Sequence, residues 1–477
     1  MTTPDTSTAT NTVTSTDAAC PDCGGALTDD ERFTRWCPAC RWNALPSAGQ
    51  GKVSGPAPSG RRPLAGRLDR SAEERLFAEV SAAAADGRTL RPTLSASRYA
   101  AAALALPVHL VTLALLAVGY SLLALGTWVA DVFGVAVVLI AVFLRPRLGR
   151  YSRVRKSAPA PGRERAPELW ALADAVADRL GTRRADAILL NSAFNASYRR
   201  VGLRRRVVLT IGVPLWYSLE PQERVALLAH EFGHGANGDA TSGFWLGTAL
   251  TSLAQWYEML LPGRRLSGGR SAGGGIAVIG EALAQVVMFA IRGLVVVWFR
   301  LLERLTLAGS RRAEYLADGF AVRLAGADGA AGLLGALMLP SAYWHVVHQR
   351  TVAAQWVPRR RDAKAEQADT AEKGERAEKA DRPAAPAERR APETLWTELQ
   401  DYVRSIPETE RTRRIVADEL SDAVADGSHP PTHLRVGYVR AFPGAPAELT
   451  PSAETWDAIA GELRPYADRL AAHVLDR

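Results

Sequence analysis

Apolar residues occur along this chain in more than one pattern, and each pattern predicts a different kind of element. From Ala100 to Leu144 they are nearly continuous, interrupted only by His109, a Gly/Thr/Trp region near Gly126 and Asp131. Because a spanning helix takes ~20 apolar residues, this run holds two helices and a tight turn, and residues 100–144 read as a transmembrane hairpin. Two further apolar stretches, 244–261 and 276–302, carry Gln255 and Glu258 in the first and Glu281, Gln285 and Arg292 in the second. Those polar residues leave a spanning, an interfacial and a protein-packed helix all open. Elsewhere the pattern is periodic. It predicts a helix over Pro167 to Leu180, strand-like pieces at Ala187 to Leu190 and Val207 to Ile211, a helix from about Pro221, and further helices over 393–477. The expected fold is mainly α with a small β-sheet.

Polar segments divide these runs. Residues 1–18 read as a disordered Thr/Ser-rich tail and 47–66 as a Gly/Pro/Ser linker. Residues 67–99 are expected to be juxtamembrane, with an Ala/Glu/Leu-rich helix over Leu68 to Ala85 at the membrane surface. The tract 359–392 has too few large apolar residues to bury a core and reads as a disordered charged insert. Lys and Arg number 58 against 50 Asp and Glu, a net charge of +8, yet the basic residues concentrate beside apolar runs and do not outline a nucleic-acid face. Arg88, Arg91 and Arg98 precede the hairpin, while Arg145, Arg147, Arg150, Arg153, Arg155 and Lys156 follow it. The positive-inside rule therefore places both of its ends in the cytoplasm. The opening residues lack the basic and hydrophobic regions of a secretory signal, in keeping with a cytoplasmic N-terminus.

Cys20-Pro-Asp-Cys23 and Cys37-Pro-Ala-Cys40 are two C-x-x-C knuckles that hold all 4 cysteines of the chain, and Gly24-Gly25 gives the first its tight turn. Four thiolates at this spacing suit a tetrahedral structural zinc, so 19–46 reads as a zinc ribbon. Disulfides are the alternative, disfavoured on a reducing cytoplasmic side. A segment this short also has too little core to fold without a staple. Trp36, Arg41 and Trp42 could form a contact surface or simply cover the ribbon.

A second metal site is spelled on the helix that starts near Pro221. Residues 226–239 read A-L-L-A-H-E-F-G-H-G-A-N-G-D. His230 and His234 stand one turn apart on one helical face, where two imidazoles can share an ion, with Glu231 beside them as a general base. A catalytic zinc takes three protein ligands and keeps one position open, where it brings the pKa of water towards neutrality. Downstream, S-R-R-A-E-Y-L-A-D at 310–318 offers Glu314 as a third ligand. Asp318, one turn further on, could orient a ligating imidazole, although a solvated Glu/Arg face fits the same residues. His345 and His348, at helical spacing, are rival ligands.

Together, H-E-F-G-H, the N-G-D that follows it and S-R-R-A-E-Y-L-A-D resemble the HtpX and CAAX prenyl protease family of membrane zinc metallopeptidases. That family carries H-E-x-G-H, a following N-x-D and a downstream S-R-x-x-E-x-x-A-D. The resemblance implies a membrane-anchored zincin-type (gluzincin) metallopeptidase domain over 163–350, completed by the helical residues 393–477. It makes Glu314 the third zinc ligand and places Asp318, Asn237 and Asp239 behind the ligands. Phe194-Asn195-Ala196 resembles the family's N-A-F segment along the substrate groove, with Ser197 standing where the pattern has Phe. This implies that Asn195 and Ala196 meet a substrate added as a strand. S-H-P-P-T-H-L-R at 428–435 resembles H-P-P-x-x-x-R, and implies that His429 donates to the developing oxyanion while Arg435 buttresses the site. The charged insert ahead of this motif departs from the family's pattern.

The expectation is a multi-pass cell-membrane protein whose N-terminus and catalytic domain face the cytoplasm. With one catalytic and one structural Zn2+, it would hydrolyse peptide bonds of protein or peptide substrates beside membrane lipid. Likeness to HtpX implies misfolded membrane proteins as substrates, and so a role in membrane protein quality control. The rival from another class is a catalytically silent membrane scaffold that recruits partners through its ribbon. A nucleic-acid-binding membrane protein is a weaker rival, for which a phosphate-competing, salt-sensitive affinity would be needed.

Overall fold

The structure is a computed structural model, and it describes residues 19–46, 64–87, 96–145, 150–202, 204–236, 239–261, 275–355, 391–421, 429–442, 444 and 446–476. The expected tail 1–18, the linker up to residue 63, the charged insert up to residue 390 and Asn237 lie outside those residues. The fold is mostly helical with one three-stranded sheet. The described residues within 1–62 and 404–423 form one compact unit, and those within 63–403 and 424–477 form another.

The larger unit begins with α1 (Leu64–Ala85), α2 (Ala96–Leu123) and α3 (Trp128–Leu144). The nearly continuous apolar run thus folds as a helical pair. Gly126, at φ 64°, takes the left-handed backbone that the turn requires, and Thr127 caps α3 by accepting from the Ala130 amide at 3.4 Å. A Cβ at Gly119 would lie 2.7 Å from Val138 Cγ2, so the two helices cross at a distance that only a bare backbone allows. Leu113, Tyr120, Trp128, Phe133 and Phe143 remain exposed on this pair. Tyr99–Leu123 and Gln285–Leu337, with mean hydropathy 2.3 and 1.8, are long and apolar enough to cross a membrane, and Trp128–Leu144 is a shorter apolar helix.

After α4 (Tyr151–Arg155), α5 (Pro167–Arg179) starts on a proline, and its first-turn amides at Glu168 and Leu169 donate to the Glu462 carboxylate at 2.8 and 3.0 Å. The sheet comprises β1 (Ala187–Asn191), β2 (Ala196–Val201) and β3 (Arg206–Gly212) in the order β1-β3-β2. β1 runs parallel to β3, with Leu189 opposite Thr210. β2 runs antiparallel to β3, with Tyr198 opposite Leu209. Gly212 ends β3 where a Cβ would collide with Ala193 O. Next come α6 (Val213–Ser218), α7 (Pro221–Ala236), α8 (Asp239–Met259) and α9 (Gly275–Leu337).

The sequence left the apolar stretch 276–302 apart from the helix expected to carry Glu314. The two are one element: α9 runs from the apolar stretch through the S-R-R-A-E motif, and its backbone departs from helical geometry only at Gly326, at φ 81°. The apolar half of α9 packs with α8 on α2, where Ala105, Val108, Leu253, Trp256, Val295 and Leu302 share a buried cluster. Pro107 has no amide to donate within α2. The nearby carbonyls of Ala102 and Leu104 accept from the indoles of Trp245 and Trp298 at 3.2 and 3.1 Å. The larger unit continues through α10 (Pro340–Gln355) to α11 (Leu395–Arg404), whose last residue belongs to the smaller unit.

In that smaller unit, residues 19–46 turn about the four cysteines, and α12 (Glu408–Leu420) belongs with them. Arg413 Nη1 donates to Ala44 O at 2.8 Å, Arg41 pairs with Glu419 at 2.9 Å, and Arg32 Nη2 donates to Ser405 O at 2.9 Å. α13 (Thr432–Arg440) and α14 (Ala453–Leu475) return to the larger unit.

Candidate metal centres

The first centre depends on where α7 is placed. Its start is fixed locally, because Pro221 takes the first turn and the Glu220 amide donates to Glu223 Oε2 at 2.8 Å, half of a capping box. The apolar residues Val225 to Ala229 are buried, and they carry His230 and Glu231 into the core with them. Gly233 then sets the depth of packing. A Cβ there would lie 3.1 Å from Ala317 Cα, so α7 meets α9 backbone to backbone and the Glu314 side chain reaches the histidines.

His230 Nε2 lies 3.5 Å from Glu314 Oε2, and His234 Nε2 lies 3.6 Å from Glu314 Oε1. The three donor atoms all fall within 4.8 Å of one another. Ligands ~2.0–2.1 Å from a tetrahedral zinc are about 3.4 Å apart, so this set of two imidazoles and one carboxylate fits such an ion. Asp318, 1% exposed, sits behind it with Oδ1 3.0 Å from His230 Nδ1. An ionised carboxylate can only accept, so it holds the proton on Nδ1 and turns Nε2 towards Glu314. Asp318 is in turn gripped by Arg435, 5% exposed, which donates from Nε at 2.8 Å and from Nη2 at 2.7 Å.

The charges explain the pKa directions. Burial opposes the charged form of every group here. Against that cost, Arg435 and His230 hold the Asp318 carboxyl below its usual range. His230 is likewise opposed by burial, but Asp318 and Glu314 raise it to about 10. Burial lowers His234. Glu314 is driven well below the usual carboxylate range by the surrounding imidazoles, in spite of its burial. His429 Nδ1 stands 2.9 Å from Glu314 Oε2, and that hydrogen bond raises its pKa. Its side chain is 54% exposed, whereas those of Arg435 and Glu314 are buried.

The remaining expected site residues divide as follows. Asn195 lies just before β2, an outer strand of the sheet, with its Oδ1 accepting from the Ala196 amide at 2.8 Å. β2 reaches the metal helix through Tyr198, whose ring meets Phe232 edge-on at 5.5 Å. Asn237 and the side chain of Asp239 lie outside the described residues. His345 stacks on Tyr402 at 4.8 Å, and the donor group that could hold an ion here contains neither it nor His348. Sequence reasoning named Asp318 and Arg435 separately and missed that they form one pair. It also missed Glu73 of α1, which contacts α9 at Arg311 and Tyr315.

The second centre is the cysteine cluster. Sγ of Cys20 lies 3.5 Å from that of Cys40, and Sγ of Cys23 lies 3.6 Å from that of Cys37, with all four within 4.8 Å. These are free thiols, and sulfurs ~2.3 Å from a tetrahedral zinc stand about 3.8 Å apart, which this set fits. Gly24, at φ 71°, and Arg41, at φ 65°, occupy the same place after each knuckle. The amides of Cys40 and then Ala39 favour the charged form of Cys37, lowering its thiol to about 7 in spite of some desolvation.

Residues 164–441 match peptidase family M48. The chain is 25% identical over 203 residues to Protease HtpX of Chromohalobacter salexigens, covering 41% of this chain and 64% of that protein. It is 24% identical over 210 residues to Protease HtpX of Pseudomonas putida, covering 43% of this chain and 66% of that protein. Each match therefore spans less than two thirds of the relative's own length. No solved structure matches the chain.

Proposed function

The chain belongs to peptidase family M48, and from that premise we propose that it is a membrane-associated, zinc-dependent endopeptidase hydrolysing peptide bonds of protein substrates. The observation that carries this reading is the convergence of His230, His234 and Glu314 from two helices, with Asp318 and Arg435 steering one of the imidazoles. These three residues would hold the ion and leave a fourth coordination position open. A zinc ion there supplies Lewis acidity and makes water acidic near neutral pH.

Glu231, on the same helix as the two histidines, takes the proton of the attacking water and passes it to the leaving amine. His429, bonded to Glu314 through Nδ1, turns a half-exposed ring to the substrate and donates to the developing oxyanion. Arg435 and Asp318 hold His230 in one tautomer. An extended substrate lies along the outer edge at Asn195 and Ala196, held by main-chain hydrogen bonds. The four thiolates of the ribbon would hold a second, structural zinc. The exposed apolar faces of α2, α3 and α9 support a membrane location, and the basic flanks of the hairpin support a cytoplasmic catalytic domain. Misfolded membrane proteins are the substrates that the likeness to HtpX implies.

Glu231→Gln tests the mechanism. In the full chain purified in detergent, hydrolysis of an unfolded protein substrate should fall ~10²–10⁴-fold, the range of a general base, while both zinc ions are retained. Undiminished metal-dependent hydrolysis by this variant would remove the mechanism. A parent chain that carries only the ribbon ion would favour a silent scaffold.

A further inference from the structure

α1 lies ahead of the family-matched residues 164–441, yet it contacts both helices that steer His230. One face of α1 buries Glu73, Val80 and Ala84, a helical stripe with a carboxylate in it. Glu73 is 6% exposed, and a buried carboxylate is costly without partners. Its partners come from α9. Tyr315 Oη donates to Glu73 Oε1 at 3.3 Å. Arg311 Nη1 lies 2.7 Å from Oε2, off the axis of its N–H bonds, so that link is one of charge. About one and two-thirds turns further along α1, Glu79 accepts from Arg312 at 2.8 Å.

On α9 the positions 311, 314, 315 and 318 share one stripe. The turn that presents Glu314 and Asp318 to the histidines is therefore the turn that Glu73 holds. α1 also touches α13, which carries Arg435: a Cβ at Gly437 would lie 3.2 Å from Phe77 Cζ. Tyr315 and Tyr438 link α9 and α13 edge to face at 5.3 Å.

We propose that α1 is a positioning element of the metal centre and that Glu73, through Tyr315 and Arg311, sets the placement of Glu314 and Asp318. The role in hydrolysis rests on the metallopeptidase reading, while the mechanical link does not. Glu73→Ala, Glu73→Gln and Tyr315→Phe would be compared with the parent in the full chain in detergent. In Glu73→Ala, amide hydrogen exchange over 310–318 should quicken about tenfold, and chelator competition should show about tenfold weaker zinc binding at the histidine centre. kcat should fall with KM unchanged. Glu73→Gln, which keeps the acceptor for Tyr315 but loses the charge that holds Arg311, should restore part of each. If Glu73→Ala does not fold, Tyr315→Phe makes the same comparison by removing one oxygen.

Parental exchange over 310–318 together with parental zinc binding in these variants would overturn the proposal, and a hydrolytically active parent would leave the peptidase reading standing. A parent that hydrolyses nothing would fail the peptidase reading instead, and exchange over 310–318 would still decide the link.

Discussion

Cys20, Cys23, Cys37 and Cys40 are neighbours in sequence, and two turns bring their sulfurs within 4.8 Å. His230 and Asp318 are 88 residues apart and meet because α7 and α9 pack almost backbone to backbone. The cysteine set offers four like donors, enough to complete a tetrahedron around an ion, whereas the histidine set offers three mixed donors. A centre with one donor fewer cannot lean on the ion for its shape, so the protein must supply it, and Asp318, Arg435 and Gly233 do so. What the cysteine cluster achieves by spacing, the histidine set achieves by packing.

The sharpest way to break this comparison is to remove one donor from each set. His234→Ala or Glu314→Ala should lower the zinc content from two ions per chain to one and abolish hydrolysis. Cys37→Ser should remove the other ion. Elemental analysis with activity separates the cases, and a single variant that emptied both centres would show that they are not independent.

Smaller effects sharpen the role assigned to packing. Asp318→Asn keeps the size of the side chain but loses the ionised acceptor for His230 and the partner of Arg435. Zinc affinity at this centre should fall ~10–100-fold, as is usual when the partner of a ligating histidine is lost. Arg435→Lys should fall in the same direction, because an ammonium cannot span both Asp318 oxygens. Isothermal competition against a chelator measures both. Unchanged affinity in Asp318→Asn would mean that α7 and α9 alone place the ligands.

The sequence reported most where chemistry repeats at short range. The C-x-x-C pairs and H-E-F-G-H need only a turn or a helix to bring their donors together, so spacing was enough. Glu314 was different: a Glu/Arg face explained its segment equally well until the resemblance singled it out, because nothing local marks where a helix will dock. β2 escaped notice because Ser197, Tyr198, Arg199 and Arg200 show no clean alternation, and that strand is defined by its pairing with β3. The continuity of α9 was missed because apolar residues give way to charged ones near Arg300 and Gly309 stands just ahead of the S-R-R-A-E motif, where a helix end would be marked, yet the helix runs through both. Glu73 was invisible for the opposite reason: a carboxylate ordinarily signals solvent, and here it is buried against two residues of α9.

The ribbon has a supporting carboxylate of its own, which gives the smallest test. Glu410, 4% exposed, pairs with Arg413 at 2.6 Å and with Arg414 at 2.8 Å, and Arg413 holds Ala44 O of the ribbon. Burial favours the neutral acid, but the two guanidinium groups prevail and hold its pKa below the ordinary 4.5. A group depressed on folding contributes stability that is present above its unfolded pKa and is lost as the pH falls through the lower folded value. Glu410→Ala should therefore lower the stability of the smaller unit by about 1–3 kcal/mol near neutral pH, the cost of losing the charge-assisted hydrogen bonds from two partly buried guanidinium groups. The gap between parent and variant should narrow only below about pH 4.5, which thermal unfolding followed across pH would show. Zinc at His230, His234 and Glu314 should not change. A loss of that ion in Glu410→Ala would mean that the support of one centre reaches the other.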